Sequence, residues 1–164
     1  MNRTDFHDLF GHMEWADELV WDEVVRTPAI AADPFVRESL FHIHLVQFAY
    51  FSGWTGGTPD PEKKDDFASI EELRAWGRSY YTAVKEWLAA LPEEELGRRD
   101  PVLWADVIEQ MIGQPPVRIS LADMMVQVAT HTTQHRAQIN RRIRELGGEP
   151  PFIDFVAWAW LGKP

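Results

Sequence analysis

The chain has 164 residues, of which 45% are hydrophobic, and it carries a formal net charge of −10 with no cysteine. This length suits one domain over residues 1–164, large enough to bury an apolar core without covalent staples. The lack of cysteine excludes disulfides and thiolate metal ligands, and the negative charge argues against a nucleic-acid-binding protein, which needs a basic face to neutralise phosphates.

No run of about 18 apolar residues is present, so no membrane-spanning helix is predicted. The first residues, MNRTDFHDLFGHMEW, carry acidic side chains and no continuous apolar stretch, so they do not resemble a signal peptide. Together with the lack of cysteine, these features fit a reducing compartment, and we expect a cytoplasmic protein.

Four segments have the periodicity of long helices. In the first, apolar residues recur at helical spacing from Phe6 to Val24, with Thr4 as the expected N-cap. The second begins at Asp33 and Pro34, a capping residue followed by a proline that suits the first helical position. Its run FVRESLFHIHLVQFAYFSGW is apolar on nearly every side, so we expect this helix to be buried by several neighbours.

A loop rich in glycine, proline and charge, TGGTPDPEKKDD, separates the second segment from the third. The third helix is predicted to begin at Ser69, which has capping-box spacing to Glu72, and to end before Pro92. Residues 92–119 are harder to assign. Their stretch VLWADVIEQMIGQPPVRI fits either a small hairpin or a short helix, because long featureless loops are uncommon.

The fourth helix is predicted to begin at Ser120, with Asp123 in the capping arrangement, and to end at Gly147 and Gly148. Its arginines spread around the helix, which is typical of a solvated helix end rather than of a nucleic-acid-binding stripe. These arginines are Arg136, Arg141, Arg142 and Arg144.

A short aromatic segment, FIDFVAWAWLG, follows the fourth helix and is expected to cover an open edge of the fold. Four long amphipathic segments joined by loops predict an all-α protein. The expected architecture is an antiparallel four-helix bundle with a short C-terminal helix.

Two histidines of the fourth segment have the spacing of metal ligands. His131 and His135 lie four residues apart, so both imidazoles project from one face of a helix and can reach one ion. A third ligand would come from LFHIHLVQF, which holds His42 and His44, about 200° apart around a helix. The structural alternative is a hydrogen-bonded core histidine on the second helix and two half-exposed histidines on the fourth.

Four stretches resemble the DinB-like family, which includes the YfiT-type proteins proposed to be metalloenzymes. The stretch HTTQHRAQINRRIRELGGEPP resembles its most recognisable signature, H-x-x-x-H-R-x-Q-I ending in L-G-x-x-P-P. The other three are MEWADELV, LFHIHLVQFAYFSGW and FIDFVAWAW, so the resemblance extends over nearly the whole chain.

The resemblance implies a four-helix bundle, frequent homodimers and a divalent metal ion held by three histidines. Carried over to this chain, the ligands are His42, His131 and His135, with His44 as the alternative to His42. Imidazole donors suit zinc, nickel and iron alike, so the ligand set does not choose the metal. Three such ligands leave at least one coordination position open, as in catalytic sites.

Related families resemble transferases and isomerases that use low-molecular-weight thiols. The resemblance therefore implies a metal-dependent enzyme with a small-molecule substrate, a thiol transferase or isomerase, with a hydrolase as the other reaction class. A non-catalytic metal- or ligand-binding bundle of the stress-response type is the alternative from a different class. No catalytic residue beyond the metal ligands is predicted.

Several polar residues near the ligands have open roles. Gln47 and Tyr50 depart from the family pattern, which more often has Glu and Trp at these positions. Gln127 and Gln138 lie at helical spacing from His131 and would orient ligands if they face the same cavity. Asp123 is expected to cap the fourth helix rather than to bind metal.

Overall fold

The computed structural model describes residues 1–57 and 66–164 and confirms the predicted all-α fold. Most of the predicted loop TGGTPDPEKKDD, residues 58–65, lies outside the described residues. A 3-10 helix (Glu93–Gly97) and two short strands, β1 (Arg99–Pro101) and β2 (Arg118–Ser120), accompany the helices. The helices are α1 (Arg3–Arg26), α2 (Pro28–Ala31), α3 (Pro34–Trp54), α4 (Ile70–Ala90), α5 (Ala105–Ile112), α6 (Leu121–Glu145) and α7 (Phe155–Trp160).

Side-chain caps begin three of the long helices where the sequence predicts them. Asp33 caps α3, with Pro34 in the first turn, and Ser69 caps α4. Ser120 and Asp123 form a reciprocal capping box at the start of α6, which confirms Asp123 as a cap. Each cap satisfies backbone N–H groups that have no partner inside the helix.

The start of α1 differs from the prediction. Asn2 caps it rather than Thr4, because Asn2 and Asp5 bond each other's backbone N–H groups and so satisfy two donors together. At α4, Glu72 bonds the backbone N–H of Ala68 instead of closing a box with Ser69.

The four long helices form a bundle in which α1 and α3 each pack against both α4 and α6. One apolar cluster joins the first turns of α1 and α6 to the last turns of α3 and α4, and a second cluster joins the opposite ends. Helices α1 and α6 therefore run in one direction, and α3 and α4 run in the other. The neighbouring pairs α3–α6 and α1–α4 are antiparallel.

The segment between α4 and α6 contains both a pair of strands and a short helix, the two kinds of structure that its sequence allows. β1 and β2 pair antiparallel, with Asp100 opposite Ile119, and α5 lies between them. The N-cap of α5, Trp104, has a left-handed backbone (φ 56°), and every residue of α5 is at least partly exposed. Leu96, Leu103 and Ile119 of this segment join or pack against the first apolar cluster, whereas α5 itself lies outside it.

The C-terminal aromatic segment packs on α1 through Phe155 and Trp158, whose rings both contact His12. Trp158 is buried beside Gly11, where an added Cβ would lie 3.1 Å from the indole ring, so a glycine permits the close approach. The predicted cover over a bundle edge is thus formed by α7. Within the described ranges, none of the helices combines the length and apolar character needed to span a membrane.

Candidate metal centre

Three histidines converge where α3 crosses the middle of α6. His42 projects from α3 toward His131 and His135 of α6, and one ring nitrogen from each lies within 4.8 Å of the other two. The Nε2 atoms of His42 and His131 are 3.1 Å apart. Two nitrogens bound tetrahedrally to zinc are about 3.3 Å apart, because each Zn–N bond is about 2.0–2.1 Å long. The spacing therefore fits a shared ion.

The histidine cluster is half-buried, and this burial favours the neutral form of His42 and His131. Burial, followed by the neighbouring imidazoles of His135 and His42, lowers the pKa of His131 to about 4. Burial and the charge of His135 also lower the pKa of His42. At neutral pH both rings are consequently neutral and keep a lone pair available, which is the state that binds metal.

His44 is directed the other way, into the bundle, and its ring is fully buried. The indole N–H of Trp21 donates to Nε2 of His44 over 3.1 Å, and Nδ1 lies 2.8 Å from Oε1 of Gln47. Since an indole can only donate, Nε2 accepts and Nδ1 carries the proton. Both ring nitrogens are occupied, so His44 has no lone pair left for a metal ion.

The hydrogen bonds of His44 continue across the bundle. The side-chain amide of Gln47 donates to Thr132 of α6 over 3.3 Å and to the hydroxyl of Tyr81 of α4 over 3.1 Å. Tyr81 donates in turn to the carboxylate of Asp17 on α1. Burial, together with the negative charge of Asp17, holds the pKa of Tyr81 well above its usual value, so it remains a donor.

Arg136 completes this network, and it is buried, contrary to the expectation from the sequence. Its guanidinium is 1% exposed and donates to the carboxylate of Asp17 and the carbonyl of Met13, each over 2.9 Å. The expectation from the sequence that Arg136 lies at a solvated helix end is wrong. A buried arginine needs a partner of opposite charge, and Asp17 provides it.

Together these side chains form a polar layer between the two apolar clusters, level with the histidine cluster. Thr132 directly follows His131 in the chain, and Arg136 directly follows His135. Each of these contacts fixes the rotation of α6 about its axis, and so directs the two histidines toward His42. The polar layer comprises Asp17, Trp21, His44, Gln47, Tyr81, Thr132 and Arg136.

A model of the DinB family matches residues 1–163. The chain belongs to the DinB family. No curated protein matches it in a sequence search. Membership of the DinB family confirms the resemblance seen in the sequence, and together with the three-histidine cluster it is compatible with metal binding.

In this DinB-family chain, the other predicted site residues lie away from the cluster. Gln138 is exposed and lines a surface depression with Phe35 and Arg142. Gln127 is exposed and lines a different cavity, beneath α5. Among the described residues, neither glutamine forms a hydrogen bond with the three histidines, so the expected orienting role belongs to the buried polar layer. Within the described residues, the three histidines are the one group of histidines and acids placed closely enough to hold a metal ion.

Sequence reasoning missed Asp17 and Tyr81. A usable signal was present, since Asp17 interrupts the buried face formed by Met13, Val20 and Val24 at helical spacing. An acid on a core face requires a cation or several hydrogen bonds. That requirement would have directed attention to a buried arginine.

Proposed function

We propose that this protein binds one divalent metal ion through His42, His131 and His135 and is a metal-dependent enzyme that transfers a low-molecular-weight thiol. Zinc, nickel and iron are all suited to three imidazole donors. The observation that carries the proposal is the convergence of three ring nitrogens within 4.8 Å on a half-buried face. A partly exposed face leaves room for a substrate beside the ligands.

The charge of the ligand set favours a thiol as the activated group. Three neutral imidazoles leave the full positive charge of a divalent ion uncompensated, and such an ion stabilises a thiolate or hydroxide at neutral pH. Among the described residues, the ligand group itself contains no carboxylate, and Glu38, whose charge acts on His42, is the candidate general base for an attacking water. A thiol has a lower pKa than water and depends less on a general base. Hydrolysis is therefore the second reaction class.

The protein residues contribute orientation and shielding. The polar layer holds α6 so that His131 and His135 face His42, and the apolar clusters above and below keep the helices in register. Such fixed ligands do not have to be reorganised when a substrate binds. A non-catalytic metal-binding bundle would have the same ligands, and only an activity assay separates the two functions.

We also propose a homodimer. Large apolar side chains near the C-terminus are exposed, among them Trp160 at 88% and Phe152 at 68%. Exposed apolar patches of this kind mark interaction surfaces, and two-fold pairs are the commonest assembly. Light scattering across micromolar concentrations is expected to give twice the mass of the chain; a monomer mass throughout would refute the dimer.

The experiment begins with untagged protein, because a histidine tag would bind metal itself. Elemental analysis is expected to give about one divalent ion per chain. Metal-loaded protein is then assayed for the reaction in which glutathione, cysteine or coenzyme A displaces the chloride of an electrophilic aryl chloride, releasing chloride and a proton, with hydrolysis of ester substrates measured in parallel. Thiol transfer above the metal-free background supports the proposal; ester hydrolysis alone supports the second reaction class.

His131→Ala is the decisive variant and His7→Ala its control. His131→Ala is expected to abolish both metal binding and thiol transfer. His7 is an exposed histidine of α1, so His7→Ala should retain both. Stoichiometric metal without either activity would favour the non-catalytic bundle, and retention of metal by His131→Ala would refute the proposed site.

A further inference from the structure

A cavity of about 400 Å³ lies beneath α5, between this helix and the adjoining ends of α3 and α6. Small-molecule sites in proteins have volumes of about 300–1,000 Å³ and mostly apolar walls with a few polar groups. This cavity has that composition. Its apolar walls include Val102, Ile108, Ile112, Val117, Ile119 and Val126.

Helix α5 contributes apolar side chains to the wall of this cavity, and these side chains remain exposed. Ile108 and Ile112 both line the cavity and are 37% and 63% exposed. The core clusters do not reach α5, since none of its residues belongs to either cluster. An apolar face of this kind is stabilised when an apolar group covers it.

The cavity lies about one helical turn along α6 from the histidine cluster, and none of the three histidines lines it. On α6, Gln127 lines the cavity and lies one helical turn before His131, which is about 6 Å along the helix axis. On the antiparallel helix α3, Tyr50 lines the cavity and lies two turns beyond His42. Gln127 and His131 are four residues apart and share a face of α6, whereas Tyr50 and His42 are eight apart and lie about 80° apart around α3, so α6 is the helix that links the cavity to the cluster.

Polar groups of the cavity indicate which ligands fit. Tyr50 lines the cavity, and its side chain is only 4% exposed. Burial raises the pKa of Tyr50, so it stays a neutral donor. The carboxyl side chains of Glu109 and Asp123 also line the cavity and disfavour an anionic group there.

We propose that this cavity binds an uncharged alkyl or aryl group of a small molecule whose donor atom is held at the three histidines. The inference rests on the proposed function and adds the substrate class to it: a compact metal-binding head joined to an apolar tail. The distance of one helical turn between Gln127 and His131 sets the length of the linker between the metal-binding head and the apolar tail.

Alkyl hydroxamates test this pairing, because the hydroxamate head binds divalent metal while the tail length varies. Zinc-loaded protein is titrated calorimetrically with acetohydroxamate, butyrohydroxamate, hexanohydroxamate and octanohydroxamate. Affinity is expected to rise about fourfold for each methylene that becomes buried, and to level off once the tail fills the cavity.

Two neighbouring variants of α5 localise the effect. Ile112→Asn changes a cavity wall, whereas Val107→Asn changes an outward side chain that does not line the cavity. Both side chains are more than half exposed, at 63% and 53%, so both variants are expected to fold. Ile112→Asn should weaken octanohydroxamate about tenfold and leave acetohydroxamate unchanged, and Val107→Asn should leave both unchanged.

The outcomes separate this inference from the metal site on which it rests. Failure of the protein to take up zinc would refute the metal site itself, and failure of acetohydroxamate to bind zinc-loaded protein would refute an open coordination position there. Equal affinity across the four hydroxamates, with acetohydroxamate bound, would refute the apolar subsite alone. A length dependence that Val107→Asn reduces and Ile112→Asn does not would also overturn it, because the tail would then lie outside the cavity.

Discussion

Alanine substitutions at His42 and His44 are expected to have opposite effects, although the two residues are neighbours on α3. His42→Ala should abolish metal binding and leave the stability of the metal-free protein nearly unchanged. His44→Ala should spare metal binding and destabilise the protein strongly. The half-buried His42 contacts other histidines, whereas the fully buried His44 holds the polar layer together.

The magnitude follows from the two hydrogen bonds of His44. Removing its imidazole leaves the indole N–H of Trp21 and the side-chain oxygen of Gln47 buried without partners. Each unsatisfied buried group costs about 1–3 kcal/mol, and the empty volume adds to this, so we expect a total loss of about 4 kcal/mol. In a domain of this size that corresponds to a fall in Tm of about 10–15 °C.

Urea unfolding of chelator-treated protein measures the stability, and elemental analysis after reloading measures the metal. The exposed His7 provides the matched control, since His7→Ala should change neither quantity. The reasoning would be refuted if His44→Ala lost its metal while keeping wild-type stability. It would equally fail if His42→Ala destabilised the metal-free protein as much as His44→Ala.

Three further outcomes are expected. Arg136→Met should destabilise by about 3–5 kcal/mol in urea unfolding, because it leaves the buried carboxylate of Asp17 without its cation; no recovery on adding Asp17→Asn, which removes the charge and keeps an oxygen acceptor for Tyr81, would contradict this cause. Gly77→Ala should destabilise by about 1–3 kcal/mol, since a Cβ there would overlap the ring of the buried histidine of α3, whereas Gly97→Ala, with open space around it, should not. Metal should be released below about pH 6, because protons compete for the imidazoles, and full occupancy at pH ~4 after dialysis would contradict three histidine ligands. The metal-free protein should also lose stability over this range: the folded pKa of His131, about 4, is below the unfolded value near 6.5, so the unfolded chain takes up protons first as the pH falls.

Local chemistry in the sequence determined most helix starts and the pairing of two ligands. Asp33, Ser69 and Ser120 are residues whose side chains satisfy backbone donors within their own turn, so no distant contact is needed to place them. The four-residue spacing of His131 and His135 likewise guarantees a shared helix face. The 200° separation of the two histidines on α3 also holds in the structure, where only one of them reaches α6.

Tertiary structure alone decided which histidine of α3 faces α6 and how the helices are directed. A helix that is apolar nearly all round has no preferred outer face, so its neighbours set its rotation about its own axis. In α3, Trp21 and Gln47 hold His44 inward, which leaves His42 beside α6. The partner of Arg136 likewise could not be identified from the segment around it, because Asp17 lies 119 positions earlier in the chain. Buried polar groups are satisfied by whichever residues the fold brings near, and local sequence patterns carry no record of such distant pairings.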